Sequence, residues 1–261
     1  MAHVEFIASD IHLGAVPDQT ERAFIAFLEH VGEEGRALLL AGDLFDFWFE
    51  YGTVIPGRHF RTLAALARLV DAGLRVTLAG GNHDAWGGAF LREHVGVGFH
   101  DRPFETTLGG RRALVAHGDG LGRGDLKYRL LKAAIRSRAA IWGFRALHPM
   151  LGLRLAERVS STEAKPGEQQ QLAGRAAFIE EWSRAQLAAD PGLSYVVCGH
   201  SHTAAIVRVE PGRYYLNAGA WLGRFSYIRL EDGDPLLCTW GEVEGSRAGS
   251  SSAASIQAGR P

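Results

Sequence analysis

Five apolar runs in this chain end in the same way, passing through a glycine or another small residue into Asp, Asn or His. The runs are residues 3–9, 37–40, 74–78, 112–116 and 195–198. They lead into Asp10-Ile11-His12, Gly42-Asp43, Gly81-Asn82-His83-Asp84, His117-Gly118-Asp119 and Gly199-His200-Ser201-His202. The alternation and β-branched content of these runs read as strands. In parallel α/β sheets ligands bind at the carboxyl ends of strands, so each ending is a site candidate. Any one of them is also ordinary turn chemistry, because Gly, Asn and Asp favour turns. Five in one chain point to a single shared pocket, and the fold must bring those strand ends together.

The segments between the runs supply the rest of the architecture. Residues 20–31 place Phe24, Phe27, Leu28 and Val31 on one helical face, and residues 58–72 do the same with Leu63, Leu66, Leu69 and Val70 before Gly73 stops the helix. Strand, helix, strand, helix, strand is the order of a parallel α/β layer. Residues 104–108 and 112–116 flank Gly109-Gly110 as a β-hairpin. Residues 169–187 form a further helix, and strands are expected at 205–209, 214–217, 227–230 and 236–239. The second half therefore adds a second sheet, giving two packed sheets with outer helices. The domain is expected over residues 1–245, with a helical insertion at about 124–160 and a disordered Ser-, Ala- and Gly-rich tail over 246–261.

Composition closes off several classes. With 46% apolar and 22% charged residues and a net charge of -1, the chain reads as one large soluble domain. No apolar run approaches the roughly 18 residues of a membrane span, and residues 1–9 read as a strand rather than a signal segment. Cys198 and Cys238 lie in strand-like runs and are expected to be buried free thiols, in keeping with a reducing compartment.

The strand ends offer seven candidate metal ligands, Asp10, His12, Asp43, Asn82, His117, His200 and His202. Mixed carboxylate, amide and imidazole donors suit manganese, iron or zinc better than a calcium or magnesium cage. Seven donors exceed one tetrahedral site, so two metals about 3.5–4 Å apart are expected, with an Asp such as Asp43 between them. Such a pair makes a hydroxide nucleophile from water and neutralises phosphoryl oxygens, which implies phosphoester or phosphoanhydride hydrolysis. His83, next to Asn82 and paired in sequence with Asp84, is placed to protonate the leaving oxygen; both are assigned catalytic roles.

The insertion has its own character. Between residues 123 and 158 nine Lys or Arg residues face only Asp125 and Glu157, interleaved with Leu130, Leu131, Ile135, Ile141, Trp142, Phe144, Leu147, Met150, Leu151, Leu153 and Leu155. Basic, greasy helices of this kind suit an anionic membrane surface or a lipid whose acyl chains they shelter; a subdomain packed on its own core is the plainer alternative. Nucleic acid is not expected, given the bulky aliphatics and no basic patch elsewhere.

Asp-x-His, Gly-Asp-x-x-Asp, Gly-Asn-His-Asp, His-Gly-Asp and Gly-His-x-His together resemble the motif series of the calcineurin-like metallophosphoesterases. That resemblance, over residues 3–240, implies a four-layer α/β sandwich of two mixed sheets flanked by helices. It also implies a dimetal centre in which Asp10, His12, Asp43 and His202 hold one metal and Asp43, Asn82, His117 and His200 the other. Within the superfamily, the insertion after His117-Gly118-Asp119-Gly120-Leu121, Asp125-x-x-Tyr128, Leu216-x-x-Gly219-Ala220-Trp221 and Gly42-Asp43-Leu44-Phe45-Asp46-x-Trp48 resemble the UDP-2,3-diacylglucosamine pyrophosphatases of lipid A synthesis. The likeness implies release of UMP from a UDP-linked diacyl sugar, manganese as the usual metal, a lid over the acyl chains, and a cytoplasmic protein on the inner membrane surface. It makes Asp125, Tyr128 and Arg158 candidate substrate contacts. After Asn82 this chain has His83, as in the wider superfamily, where the best-known branch has Arg. A phosphodiesterase or phosphomonoesterase acting on another lipid or nucleotide stays open beside the pyrophosphatase.

Overall fold

A computed structural model of the chain describes residues 3–51, 54–121, 130, 133–159 and 168–241. The elements are β1 (Val4–Ala8), α1 (Asp18–Glu34), β2 (Ala37–Leu40), α2 (Phe60–Asp71), β3 (Arg75–Ala79), α3 (Ala89–Glu93), β4 (Gly98–His100), β5 (Phe104–Leu108), β6 (Arg111–Val115), α4 (Arg138–Arg145), α5 (Pro149–Val159), α6 (Glu168–Ala189), β7 (Tyr195–Cys198), β8 (Ala205–Glu210), β9 (Arg213–Asn217), β10 (Ser226–Glu231) and β11 (Asp234–Thr239). One sheet runs β11-β10-β1-β2-β3-β4 and the other β5-β6-β7-β9-β8. β1 to β4 pair in parallel, as do β6, β7 and β9; β10, β11, β5 and β8 join antiparallel.

Both faces of the central strands are covered, which is why β1 and β2 are apolar or buried at every position. Successive side chains point to opposite faces. Phe6, Ala8, Leu38 and Leu40 pack with α1 and α2, while Ile7 and Leu39 meet Val115, Val197 and Leu216 of the other sheet. α6 covers the outer face of that second sheet through Ile179 and Leu187, which pack with Val196, Cys198 and Tyr215. The result is four layers, helix, sheet, sheet, helix, as the motif resemblance implied.

The helical faces read from periodicity are the buried ones. Phe24, Phe27, Leu28 and Val31 of α1 are fully buried, and Phe27 stands edge-on to Phe6 with ring centroids 6.0 Å apart. Burying one such ring contributes roughly 1.5–3 kcal/mol, so α1 is fixed to the sheet mainly by this stripe. In α2 Leu63, Leu66 and Leu69 are buried, whereas Val70 is half-buried at the edge of the same core. Two details depart from the sequence reading. β4 is a three-residue strand that no alternation could reveal, because Gly98 opens it and only Phe99 is buried. Cys238 is half-buried on edge strand β11, while Cys198 is buried as expected. No helix among the described residues is long and apolar enough to cross a membrane. The expected lid contains α4 and α5. Asp125, Tyr128 and the expected tail from residue 246 lie outside the described residues, as does the side chain of Arg158, whose backbone is in α5.

Candidate metal centre

The parallel strands of the two sheets end on one edge of the sandwich, and the turns leaving them are laced together by backbone hydrogen bonds. The amides of Asp10 and His12 donate to the carbonyls of Gly42 and Asp43, both at 3.0 Å, and the Gly199 amide donates to the His117 carbonyl at 2.8 Å. Six non-glycine residues among those described have left-handed backbone, and five of them are Asp10, His12, Asp43, His200 and His202. Each such residue costs on the order of 1–2 kcal/mol, so the strain of the fold is concentrated on the candidate ligands. Two glycines make the close approach possible. A Cβ at Gly81 would lie 2.0 Å from Asp43 Oδ1, and one at Gly42 2.2 Å from His117 Nδ1.

The side chains converge in overlapping groups. His12 Nε2 and His202 Nε2 stand 3.2 Å apart, with Asp10 Oδ1 3.4 Å from His202 Nε2. Asp43 Oδ2 is 3.1 Å from His117 Nε2 and 4.0 Å from His12 Nε2, while its Oδ1 accepts from the His83 amide at 3.0 Å. Asp10, His12 and His202 form one potential ligand set, Asp43, His117 and His200 a second, and His12, Asp43 and His83 a third; within each, the ligand atoms lie within 4.8 Å of one another. Asp43 thus lies between the two groupings that the resemblance implied.

The electrostatics are those of a buried, crowded cluster. Burial pushes Asp43 up, but His117, by charge and hydrogen bond, and then His83 and His12 outweigh it and hold the carboxyl well below its ordinary value. Asp10 is likewise held down against its burial by its bond to His202 and the charge of His117. Burial opposes a charge on His117, yet Asp43 and Asp10 carry it up to about 10. Burial, helped by the nearby His117 charge, drives His200 down to about 4. The carboxylates therefore draw a positive charge into a site nearly closed to water, and a divalent cation would satisfy the same field.

The donors fit such ions. His117 Nδ1 lies 2.9 Å from the Ala41 carbonyl, an acceptor only, so Nδ1 carries a proton and Nε2 is the nitrogen that would face a cation. His12 is buried, and its Nδ1 finds no hydrogen-bond partner among the described residues. Carboxylate and imidazole donors in this mixture suit manganese, iron or zinc.

The 80–84 turn divides its roles among neighbours. Asp84 is fully buried and accepts from the amides of Leu44 and Gly81, both at 2.7 Å. Burial and then the charge of Asp43 raise it to about 6. His83 is not held by Asp84, its neighbour in sequence: its Nδ1 donates to the Asp46 carbonyl at 2.8 Å, with Asp46 Oδ1 at 3.5 Å. Asn82, just before His83, is exposed. Sequence reasoning missed Asn217, which ends β9 fully buried; its Nδ2 donates to Gly199 O, Ser201 Oγ and Tyr215 OH, and its Oδ1 accepts from Gly219 N. It braces the His200–His202 loop from behind. An asparagine closing a buried strand was the available signal. The Trp221 amide and Ser9 hydroxyl similarly tie the segment after Asn217 to Asp10 and its neighbour.

The insertion docks on the loops beside the centre. Phe144 of α4 lies among Phe49, Trp86 and Phe47, at centroid distances of 4.6, 5.1 and 6.0 Å. Of the ten exposed large apolar side chains among the described residues, six belong to the insertion: Leu130, Ile135, Trp142, Leu147, Met150 and Leu151.

Known proteins are similar to this chain over most of its length. The profile of the calcineurin-like phosphoesterases matches residues 6–204. A UDP-2,3-diacylglucosamine hydrolase of Porphyromonas gingivalis is 29% identical over 254 residues, covering 89% of this chain and 95% of that protein. That of Ralstonia nicotianae is 30% identical over 241 residues, covering 87% of this chain and 89% of its own. Among solved structures, the E. coli phosphoesterase Yfce is 13% identical with a TM-score of 0.41, covering 91% of this chain and 99% of that one.

Proposed function

The chain belongs to the calcineurin-like phosphoesterase family, and from that premise we propose that it is a dimetal hydrolase cleaving the pyrophosphate of UDP-2,3-diacylglucosamine to UMP and 2,3-diacylglucosamine 1-phosphate. The observation that carries this reading is the likeness to hydrolases of that name over 89% and 87% of the chain. Asp10, His12, Asp43 and His202 would hold one metal and Asp43, Asn82, His117 and His200 the other, with Mn2+ favoured and iron or zinc compatible with the same donors. When bound, the pair supplies Lewis acidity to the phosphoryl oxygens and an activated water.

The chain's own residues do the rest. With Nδ1–H given to the Asp46 carbonyl, His83 Nε2 is the atom that passes a proton to the leaving oxygen. Asp84 sets the turn by holding the Gly81 and Leu44 amides. Asp125, Tyr128 and Arg158 are the substrate contacts. The exposed Trp142, Met150 and Leu151, beside Arg138, Arg145 and Arg154, support a protein that rests on the cytoplasmic face of the inner membrane and shelters acyl chains there. We assign residues 1–245 to the catalytic domain with its lid at about 124–160, and 246–261 to a tail outside it. The test is an assay with Mn2+ and UDP-2,3-diacylglucosamine. UMP release is expected, and metal-loaded protein that releases none would refute the reading.

A further inference from the structure

Arg136 leaves the insertion and reaches the turns of the metal centre. Its Nη2 donates to the Gly81 carbonyl at 3.0 Å, its Nη1 donates to the Asp101 carbonyl at 2.9 Å, and an Asp119 carboxylate oxygen lies 3.9 Å from Nη2. One guanidinium thus spans the turn after β3, the loop after β4 and the loop after β6. Two of these three contacts lie close to the candidate ligands. The Gly81 amide donates to Asp84 Oδ1, whose other oxygen takes the Leu44 amide, the residue after Asp43. His83, two residues beyond Gly81, gives its amide to Asp43 Oδ1, and Asp119 is two residues beyond His117.

We propose that Arg136 is a positioning residue, a strut through which the insertion holds the 80–84 turn, and with it Asp43, in register with His117 on the opposite sheet. The fork geometry suits the task, since a planar guanidinium can hold two carbonyls at fixed separation while an ammonium is a point donor. Arg145 marks the contrast. It too ties the insertion to the core, donating from Nε to the Glu50 carbonyl at 3.3 Å, but among the described residues it makes no hydrogen bond to the 80–84 turn. The insertion therefore acts on the reacting centre as well as on the part of the substrate it covers, so its effect extends to substrates that never touch it. Only the activity arm of the test rests on the phosphoesterase reading.

The test compares R136Q, R136K and R145Q in the full chain. Hydrogen exchange followed by mass spectrometry should show the amides of residues 80–84 exchanging about tenfold faster in R136Q, with R145Q unchanged there and β1 and β7 as protected as in the wild type. With Mn2+ and an aryl phosphodiester too small to reach the lid, R136Q should lose about tenfold in kcat with KM within about twofold, and R136K should recover part of the loss. Unchanged exchange in R136Q would overturn the strut. So would an equal rise in R145Q, a general loss of protection in β1 and β7, or an unchanged kcat. A wild-type protein inactive on the diester counts against the phosphoesterase reading, and the exchange data still decide the strut.

Discussion

The strand-end centre and the insertion invert the usual rule of burial in opposite directions. In the centre Asp10, His12 and Asp43 are polar and at most 1% exposed. In the insertion Trp142 is apolar and 75% exposed, and Leu151 57%. Globular domains ordinarily bury large apolar groups and leave isolated charges in water, so each region departs from that rule at a cost. In the centre the imidazoles of His117 and His202 balance the buried carboxylates of Asp43 and Asp10. The insertion leaves Trp142, Met150 and Leu151 exposed among the described residues. The difference sets a buried polar cluster at the strand ends against an exposed apolar surface on the helices laid over them.

The largest effect should come from breaking the centre at Asp43. Asp43→Asn keeps the shape but removes the charge shared between the ligand groups, and turnover should fall on the order of a thousandfold or more while the folded circular dichroism spectrum is kept. Retained UMP release would show that Asp43 does not join two metals. His83→Ala should lower kcat by about a hundredfold and leave metal affinity, measured by calorimetry, near that of the wild type. A parallel loss of metal affinity would move His83 from proton donor to ligand, as its place in the third ligand set allows. On the other side of the comparison, Trp142→Glu with Leu151→Glu should weaken binding to anionic phospholipid vesicles by about tenfold and leave cleavage of a small aryl diester unchanged. Equal vesicle binding would mean that the exposed helices cover something other than lipid.

The same contrast explains what the sequence could and could not tell. The polar cluster at the strand ends was legible because buried strands are apolar and their ends are polar, a pattern carried by adjacent residues such as Leu39 to Asp43. The core faces of α1 and α2 were legible for the same reason, their period being local. What escaped was set by pairs distant in the chain. Asn217 braces Gly199 and Ser201 from the next strand over, Asp84 serves Leu44 forty residues away, and Arg136 reaches Gly81 across fifty-five. The left-handed backbone of Asp10 and Asp43 was equally hidden, since aspartate tolerates that conformation but adopts it at only a minority of positions. The insertion's composition was plain, but composition does not say which apolar residues pack on Phe49 and which, like Trp142, face out.

The smallest effect concerns the core behind the centre and separates it from the insertion by pH. His59 is 2% exposed and lies against Phe45, with ring centroids 4.7 Å apart. Burial, and then the charge of Arg58, push its imidazole down to about 3. Between that value and the usual 6.5 of an unfolded histidine, the unfolded chain binds a proton that the native protein refuses, so this group lowers stability as the solution is acidified. From pH 7 to pH 6 the loss from His59 is roughly 0.7 kcal/mol. Urea unfolding of wild type and His59→Phe at the two pH values isolates it, because the other titrating groups, the histidines and Asp84 of the centre included, are common to both proteins. The variant should show the shallower dependence by about that amount. An identical slope would mean that His59 reaches solvent in the native state, and that the protected interior ends at the strand-end centre rather than continuing behind it.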